Sequence, residues 1–162
     1  NEVVWVEPVL YRPDVKEKLQ RNLMLFYTSL KRDASKILES QQEQTDEKFD
    51  SLRQLQALVE PLRDILSKGK DLDQFGEILH QGWLLKRELT DDISSSVIDK
   101  YYKKALDAGA IGGKILGAGG GGFFLFYVDE GKQEAVKNAL TDLYYLPVQF
   151  DSSGTRITYY DE

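Results

Sequence analysis

The sequence predicts an α+β domain: a mainly antiparallel sheet with helices packed on one face. Three observations point there. Apolar, strand-like runs cluster at both ends of the chain, helical periodicity fills its middle, and a run dense in glycine leads straight into the apolar segment "FFLFYV". With 162 residues the chain has the length for one ordinary core and is too short for two large ones, so 1–162 reads as a single domain.

Taken in order, "VVWVEPVLY" (3–11) reads as a strand, with Pro8 suited to an edge or a bulge. "RPDVKEKLQRN" reads as a short helix or turn, and "LMLFYTSL" (23–30) as a strand apolar enough to be buried on both faces. "KRDASKILESQ" predicts a short helix with Ala34, Ile37, Leu38 and Gln41 on one side. Over 46–68, Phe49, Leu52, Leu55, Leu58, Val59, Leu62, Ile65 and Leu66 recur at helical spacing, and Pro61 should kink or break that helix. Gly69 closes it, and Asp71 can cap the next, which runs from about Leu72 to Leu89. Ser94 to Ser96 cap a helix carrying Val97, Ile98, Tyr101, Tyr102, Ala105 and Leu106, closed by Gly109. After the glycines come the core strand "FFLFYV" and an amphipathic helix with Val136, Ala139, Leu140 and Leu143 inward. Two further strands, "LPVQF" and "TRITYY", turn at 152–154.

Composition narrows the function. The net charge of −6 argues against a broad nucleic-acid surface but leaves room for a small phosphate ligand. No apolar run approaches the ~20 residues that span a bilayer, and the N-terminus has no basic stretch of the signal-peptide kind. The absence of cysteine excludes disulfides and thiolate metal sites and fits a reducing, cytoplasmic setting. His80 is the single histidine and falls on the polar side of its predicted helix; no metal site is expected. The first residue, Asn1, is not Met, which suggests a piece of a longer chain.

"GAIGGKILGAGGGG" asks most of the backbone. Each glycine costs about 0.5–1 kcal/mol relative to alanine, so Gly119, Gly120, Gly121 and Gly122 together cost about 2–4 kcal/mol. "GAGGGG" formally fits G-x-G-x-x-G, yet here the glycines precede a strand instead of opening a helix, which rejects the dinucleotide reading. No Gly-Lys-Ser/Thr follows, so it is not a Walker A loop. What remains is a glycine loop between a helix and a buried strand, with Lys114 just before it. Its bare N–H groups suit an anion nest, or it is a tight turn packed against another backbone.

A second oddity lies in "DLDQFGEILHQGWLLKREL". Phe75, Ile78, Leu79, Gly82, Leu85 and Leu89 form one apolar stripe, and Lys86 points along its middle with Gly82 one turn earlier. Trp83 and Arg87 flank the edge. An unpaired buried ammonium costs several kcal/mol, so Lys86 either meets an anion or snorkels to water. In "YTSLKRD", Thr28 and Ser29 end a strand while Lys31 and Arg32 open a helix, an arrangement that suits an anion and also occurs in ordinary caps.

The run "GGKILGAGGGGFFLF", with its preceding lysine and following strand, resembles the third motif of the GHMP small-molecule kinases. "LMLFYTSLKRDASKILESQ", "LRDILSKGKDLDQFGEILHQGWLLKREL" and "GTRITYY" resemble the C-terminal half of the sugar-kinase branch that includes heptose 7-phosphate kinases, so the likeness runs almost end to end. Phe123 departs from it, where many relatives carry a small residue or cysteine. The resemblance implies a four-stranded, ferredoxin-like sheet and ATP-dependent phosphoryl transfer to a sugar hydroxyl. It places the phosphate-binding loop, the Mg²⁺ ligands and the catalytic acids in an N-terminal domain. No Gly-Leu-Gly-Ser-Ser occurs here, so the chain reads as the C-terminal domain alone, with no catalytic residue of its own and inactive by itself. By analogy Lys114, Gly117, Ala118, Gly119, Gly120, Gly121 and Gly122 lie near the phosphates of ATP. Lys86, Arg87, Trp83, Thr28 and Arg32 are candidates for the sugar-phosphate side. The expected partners are the N-terminal kinase domain and a sugar phosphate, with no nucleic acid and no membrane; a homodimer stays open. A non-catalytic metabolite-binding or dimerisation module is the alternative.

Overall fold

The computed structural model describes residues 7–31, 34–44, 47–151, 157 and 159. Helix α1 (Pro13–Asn22) starts on a proline at its first position and carries Asp14 in its first turn and Arg21 in its last, each placed to favour the helix dipole. It runs straight into strand β1 (Leu23–Tyr27). Helices α2 (Ala34–Glu43), α3 (Phe49–Ala57), α4 (Val59–Lys68) and α5 (Asp73–Arg87) follow. The long periodic stretch divides at Leu58, and Pro61 sits in the first turn of α4, where its missing N–H is no loss. Gly69 closes α4 with φ 65°, the left-handed cap the sequence predicts. Asp71 does not cap α5. It has φ 49°, the N-cap is Leu72, and no side chain bonds there.

A 3₁₀ turn (Asp91–Ile93) precedes α6 (Ser96–Asp107), whose N-cap Ser95 accepts from the Ile98 N–H. Then come β2 (Ala110–Ile115), β3 (Phe123–Val128), a 3₁₀ turn (Glu130–Lys132), α7 (Gln133–Ala139) and β4 (Tyr144–Pro147). The spatial order is β2-β3-β1-β4 with every pair antiparallel. Reading β1, the α6 crossover, β2, β3, α7 and β4 in chain order gives the β-α-β-β-α-β ferredoxin-like plait.

Alternation along β1 and β3 divides the apolar residues by face. Met24, Phe26, Phe124, Phe126 and Val128 join Trp83, Ile98, Tyr102, Val136 and Leu140 in the larger cluster, roofed by α6 and α7. Leu23, Leu125 and Tyr127 join Val15, Leu19, Ile65 and Leu72 on the opposite face, where α1 and α4 add a second, thinner layer. "LMLFY" is therefore fully buried on the face of Met24 and Phe26, while on the other face Leu23 is buried and Leu25 and Tyr27 are half-buried, so its unbroken apolar pattern overstates the second face.

Some sequence expectations shift. The first expected strand yields no strand over 7–11, and its residues 3–6 lie outside the described residues. So do the turn at 152–154 and most of "TRITYY". The strand expected at "LPVQF" is observed two residues earlier, at Tyr144–Pro147. The largest miss is β2, whose glycines disguise a strand. Gly112 is bare because a Cβ there would strike the Gly76 carbonyl of α5, and a Cβ on Gly76 would lie 2.9 Å from Ile111 Cγ2 and Tyr127 Cδ1. Helix α5 thus lies flush on β2 through two facing glycines.

Candidate functional site

With β2 in place, the glycine bend (116–122) joins two adjacent strands of one sheet, not a helix to a strand. Leu116 N–H donates to Phe123 O at 2.8 Å and closes its base. Gly117, Gly119, Gly120 and Gly122 take φ values of 75°, 119°, 72° and 85°, which side chains rarely adopt, so the glycines answer to geometry first. Their surroundings differ. Gly119 and Gly121 press on the domain's own backbone: a Cβ on Gly119 would lie 2.9 Å from Ile93 Cα, and one on Gly121 would strike the Leu30 carbonyl. Gly117 is exposed, and neither Gly117 nor Gly122 has any atom within 4 Å of where a Cβ would stand. The packed-turn reading therefore holds for Gly119 and Gly121. The middle is a packed turn, and the flanks are open.

The bend is pinned along its length. Gly120 N–H donates to Ile93 O at 2.8 Å and Gly122 N–H to Leu30 O at 3.1 Å. Thr28 donates to Gly122 O twice, from its N–H at 2.8 Å and from Oγ1 at 2.9 Å. Gln41 Nε2 lies 3.5 Å from Ala118 O. Lys86 Nζ donates to Gly117 O. An anion nest along the whole bend is thereby reduced, since the Gly120 and Gly122 donors are already taken.

Lys86 is half-buried, and burial, reinforced by the nearby positive charge of Lys114, pulls its pKa down to about 8. The two lysines stand at one end of a cavity of about 170 Å³ that the aliphatic side chains of α3, α4 and α5 line. No ion pair among the described residues involves either amine. The two lysines thus lie near one another, Lys86 is bonded to the bend, and no carboxylate among the described residues pairs with either.

The other substrate-side candidates are placed differently. Trp83 is 0% exposed and packs in the larger cluster, its Nε1 without a partner. Arg87 Nη2 meets Asp99 Oδ2 at 2.8 Å, and Ser94 Oγ donates to the other oxygen of Asp99 at 2.6 Å. Thr28 is buried and spent on Gly122. Arg32 lies outside the described residues. His80 is not a surface residue as its helical position suggests. It is half-buried, stacks on Tyr102 at 5.8 Å and shares a 2.7 Å hydrogen bond with the Tyr102 hydroxyl, which donates to Gly113 O. Sequence reasoning missed Ile93 and Leu30, which anchor the bend through main-chain carbonyls and so leave no side-chain signal. Among the described residues no group of three or more His, Asp or Glu could hold a metal ion, and no helix is long and apolar enough to cross a membrane.

The family model "GHMP kinases C terminal" matches residues 55–146. A D-glycero-alpha-D-manno-heptose 7-phosphate kinase of Campylobacter jejuni is 31% identical over 144 residues, covering 86% of this chain and 42% of its own length. The chain therefore spans less than half of that relative. Among solved structures, L. major mevalonate kinase in complex with R-mevalonate superposes with a TM-score of 0.66 at 19% identity, over 76% of this chain and 40% of that one. A D-glycero-D-manno-heptose 1-phosphate kinase from Bacteroides thetaiotaomicron gives 0.57 at 23% identity, over 90% and 38%. At these identities the two structures speak for the fold alone. Motif, plait and family match coincide: the chain belongs to the GHMP kinases, and the domain described is their C-terminal one.

Proposed function

We propose that this chain forms the acceptor-side wall of a kinase that moves the γ-phosphoryl group of ATP to a sugar hydroxyl, the acceptor being a phosphorylated sugar of the heptose phosphate kind. The observation that carries this reading is the open flank of the bend: exposed Gly117, held from behind by Lys86, with Lys114 beside it. Phosphoryl transfer depends on positioning and charge neutralisation more than on covalent chemistry. A side-chain-free wall lets phosphate oxygens approach main-chain N–H groups closely, and two unneutralised amines favour an anion at the same place.

ATP and Mg²⁺ belong to the remainder of the kinase in this reading. No step here runs through the metal, since the described residues offer it no ligand cluster. Within this chain the phosphate-facing role falls to Gly117 and Ala118, with Lys114 and Lys86. Gly119, Gly120 and Gly121 serve as the anchored centre. Among the described acceptor-side candidates Lys86 remains available; Thr28 and Arg87 act through the bend, and Trp83 through the core.

The test is kinetic. In the complete kinase, Lys86→Met and Lys114→Met should each lower kcat/KM for a heptose phosphate about 10- to 100-fold, the scale of one lost charged hydrogen bond, while the enzyme stays folded. Wild-type kcat/KM in both variants would refute the assignment. Saturable stabilisation of this chain by a metabolite, in a complete protein that never turns over ATP, would favour a metabolite-binding module instead.

A further inference from the structure

Helix α5 ends on two adjacent cations with different fates. Lys86 reaches the bend directly at Gly117 O. Arg87 turns the other way and meets Asp99 of α6, whose second oxygen accepts from Ser94 Oγ. Ser94 directly follows the 3₁₀ turn Asp91–Ile93. Ile93, its last residue, gives its carbonyl to Gly120 N–H at 2.8 Å and its Cα and Cγ2 to the space beside Gly119. The near end of the same turn is capped by Thr90, whose hydroxyl faces Asp92 N–H and shares a 2.9 Å bond with Ser40 of α2. So a three-residue turn, tied at both ends, holds the centre of the bend by one hydrogen bond and one close packing contact.

We propose that Ser94 and Asp99, with Arg87, are positioning residues that set the glycine bend through the Ile93 carbonyl. None of the three touches the open flank of the bend; they act by fixing where Ile93 O stands. The chemistry suits that task. Asp99 is bound on both oxygens, so its carboxylate cannot rotate without losing a charge-assisted bond. The Arg87–Asp99 pair is partly exposed, at 32% and 41% of its side chains, so salt weakens it. Gly120 is the residue that should register any slack. Gly122 is held by Leu30 through a separate element and serves as an internal reference.

The inference rests on the kinase reading only for its catalytic consequence, and the test separates the two. Amide hydrogen exchange on this chain compares wild type with Ser94→Ala and Asp99→Asn. The expected result is exchange at Gly120 faster by at least about tenfold, with Gly122 unchanged. Ser94→Thr keeps the hydroxyl and should restore protection. No change at Gly120, or equal acceleration at Gly120 and Gly122, overturns the proposal, because the second pattern is general loosening. In the complete kinase the same variants should lower kcat about tenfold with the acceptor KM unchanged. Unaltered kcat beside a fast Gly120 overturns the positioning role. A wild-type kinase without sugar phosphorylation removes the reading under Proposed function and leaves the Gly120 result standing.

Discussion

Lys86 is where residue chemistry and the proposed function meet. Its ammonium has lost water to burial and faces Lys114, so its folded pKa lies near 8, below the ordinary 10.5. The sign of the stability effect follows. Below pH 8 the amine is charged in both folded and unfolded chains, and the cost of burying it is fully present. Between about 8 and 10.5 the unfolded chain holds more protons, so stability rises with pH relative to a chain lacking the group. Denaturant melts of wild type and Lys86→Met should therefore show a gap that narrows in favour of wild type across that window; a pH-independent gap would mean the amine is solvated. Trp83 makes the opposite case. As a fully buried core side chain, Trp83→Ala should cost about 3–5 kcal/mol in a denaturant melt. A loss of acceptor binding at unchanged stability would place it in the site instead. The sequence exposes both residues but cannot separate them, because one turn of helix divides the cluster that buries Trp83 from the cavity that Lys86 closes.

At the scale of elements, the contact that decides the architecture is α5 on β2. Gly76 and Gly112 let helix and strand approach to main-chain distance, and Tyr102 OH secures the next strand residue through Gly113 O. Gly112→Ala should destabilise the chain by about 3 kcal/mol or more, since neither the Gly76 carbonyl nor the strand has room to give; a thermal shift near zero would show that α5 can slide. The same contact explains what was legible. Helices α5 and α6, β1 and β3 announce themselves through periodicity and caps. Strand β2 does not, because the glycines that permit its close packing also remove the side chains by which a strand is recognised. The break at Leu58 followed from Pro61, whereas the buried face of α5 did not follow from its apolar stripe. Its centre runs through Gly76 and Trp83, where a bare residue marks contact and not space. The bend was legible as a demand for glycine, and its division into packed centre and open flanks was not, since Ile93 and Leu30 act through carbonyls.

For the whole molecule, the proposed function has the bend give one wall and requires another. This chain spans 42% of the length of the heptose kinase it resembles, and its exposed Gly117 faces outward beside two cations. The chain by itself should give no ATP turnover in a coupled assay, with activity appearing when it is part of the complete kinase; turnover by these residues alone would contradict the two-wall arrangement. The most direct measurement is amide hydrogen exchange over 116–122 in the complete kinase, with and without a saturating non-hydrolysable ATP analogue. If the bend closes on bound phosphate, the amides of Gly117 and Ala118 slow on binding while Gly120 and Gly122, already bonded, change little. Identical exchange in both states, with the analogue demonstrably bound, would mean that the bend is only a turn.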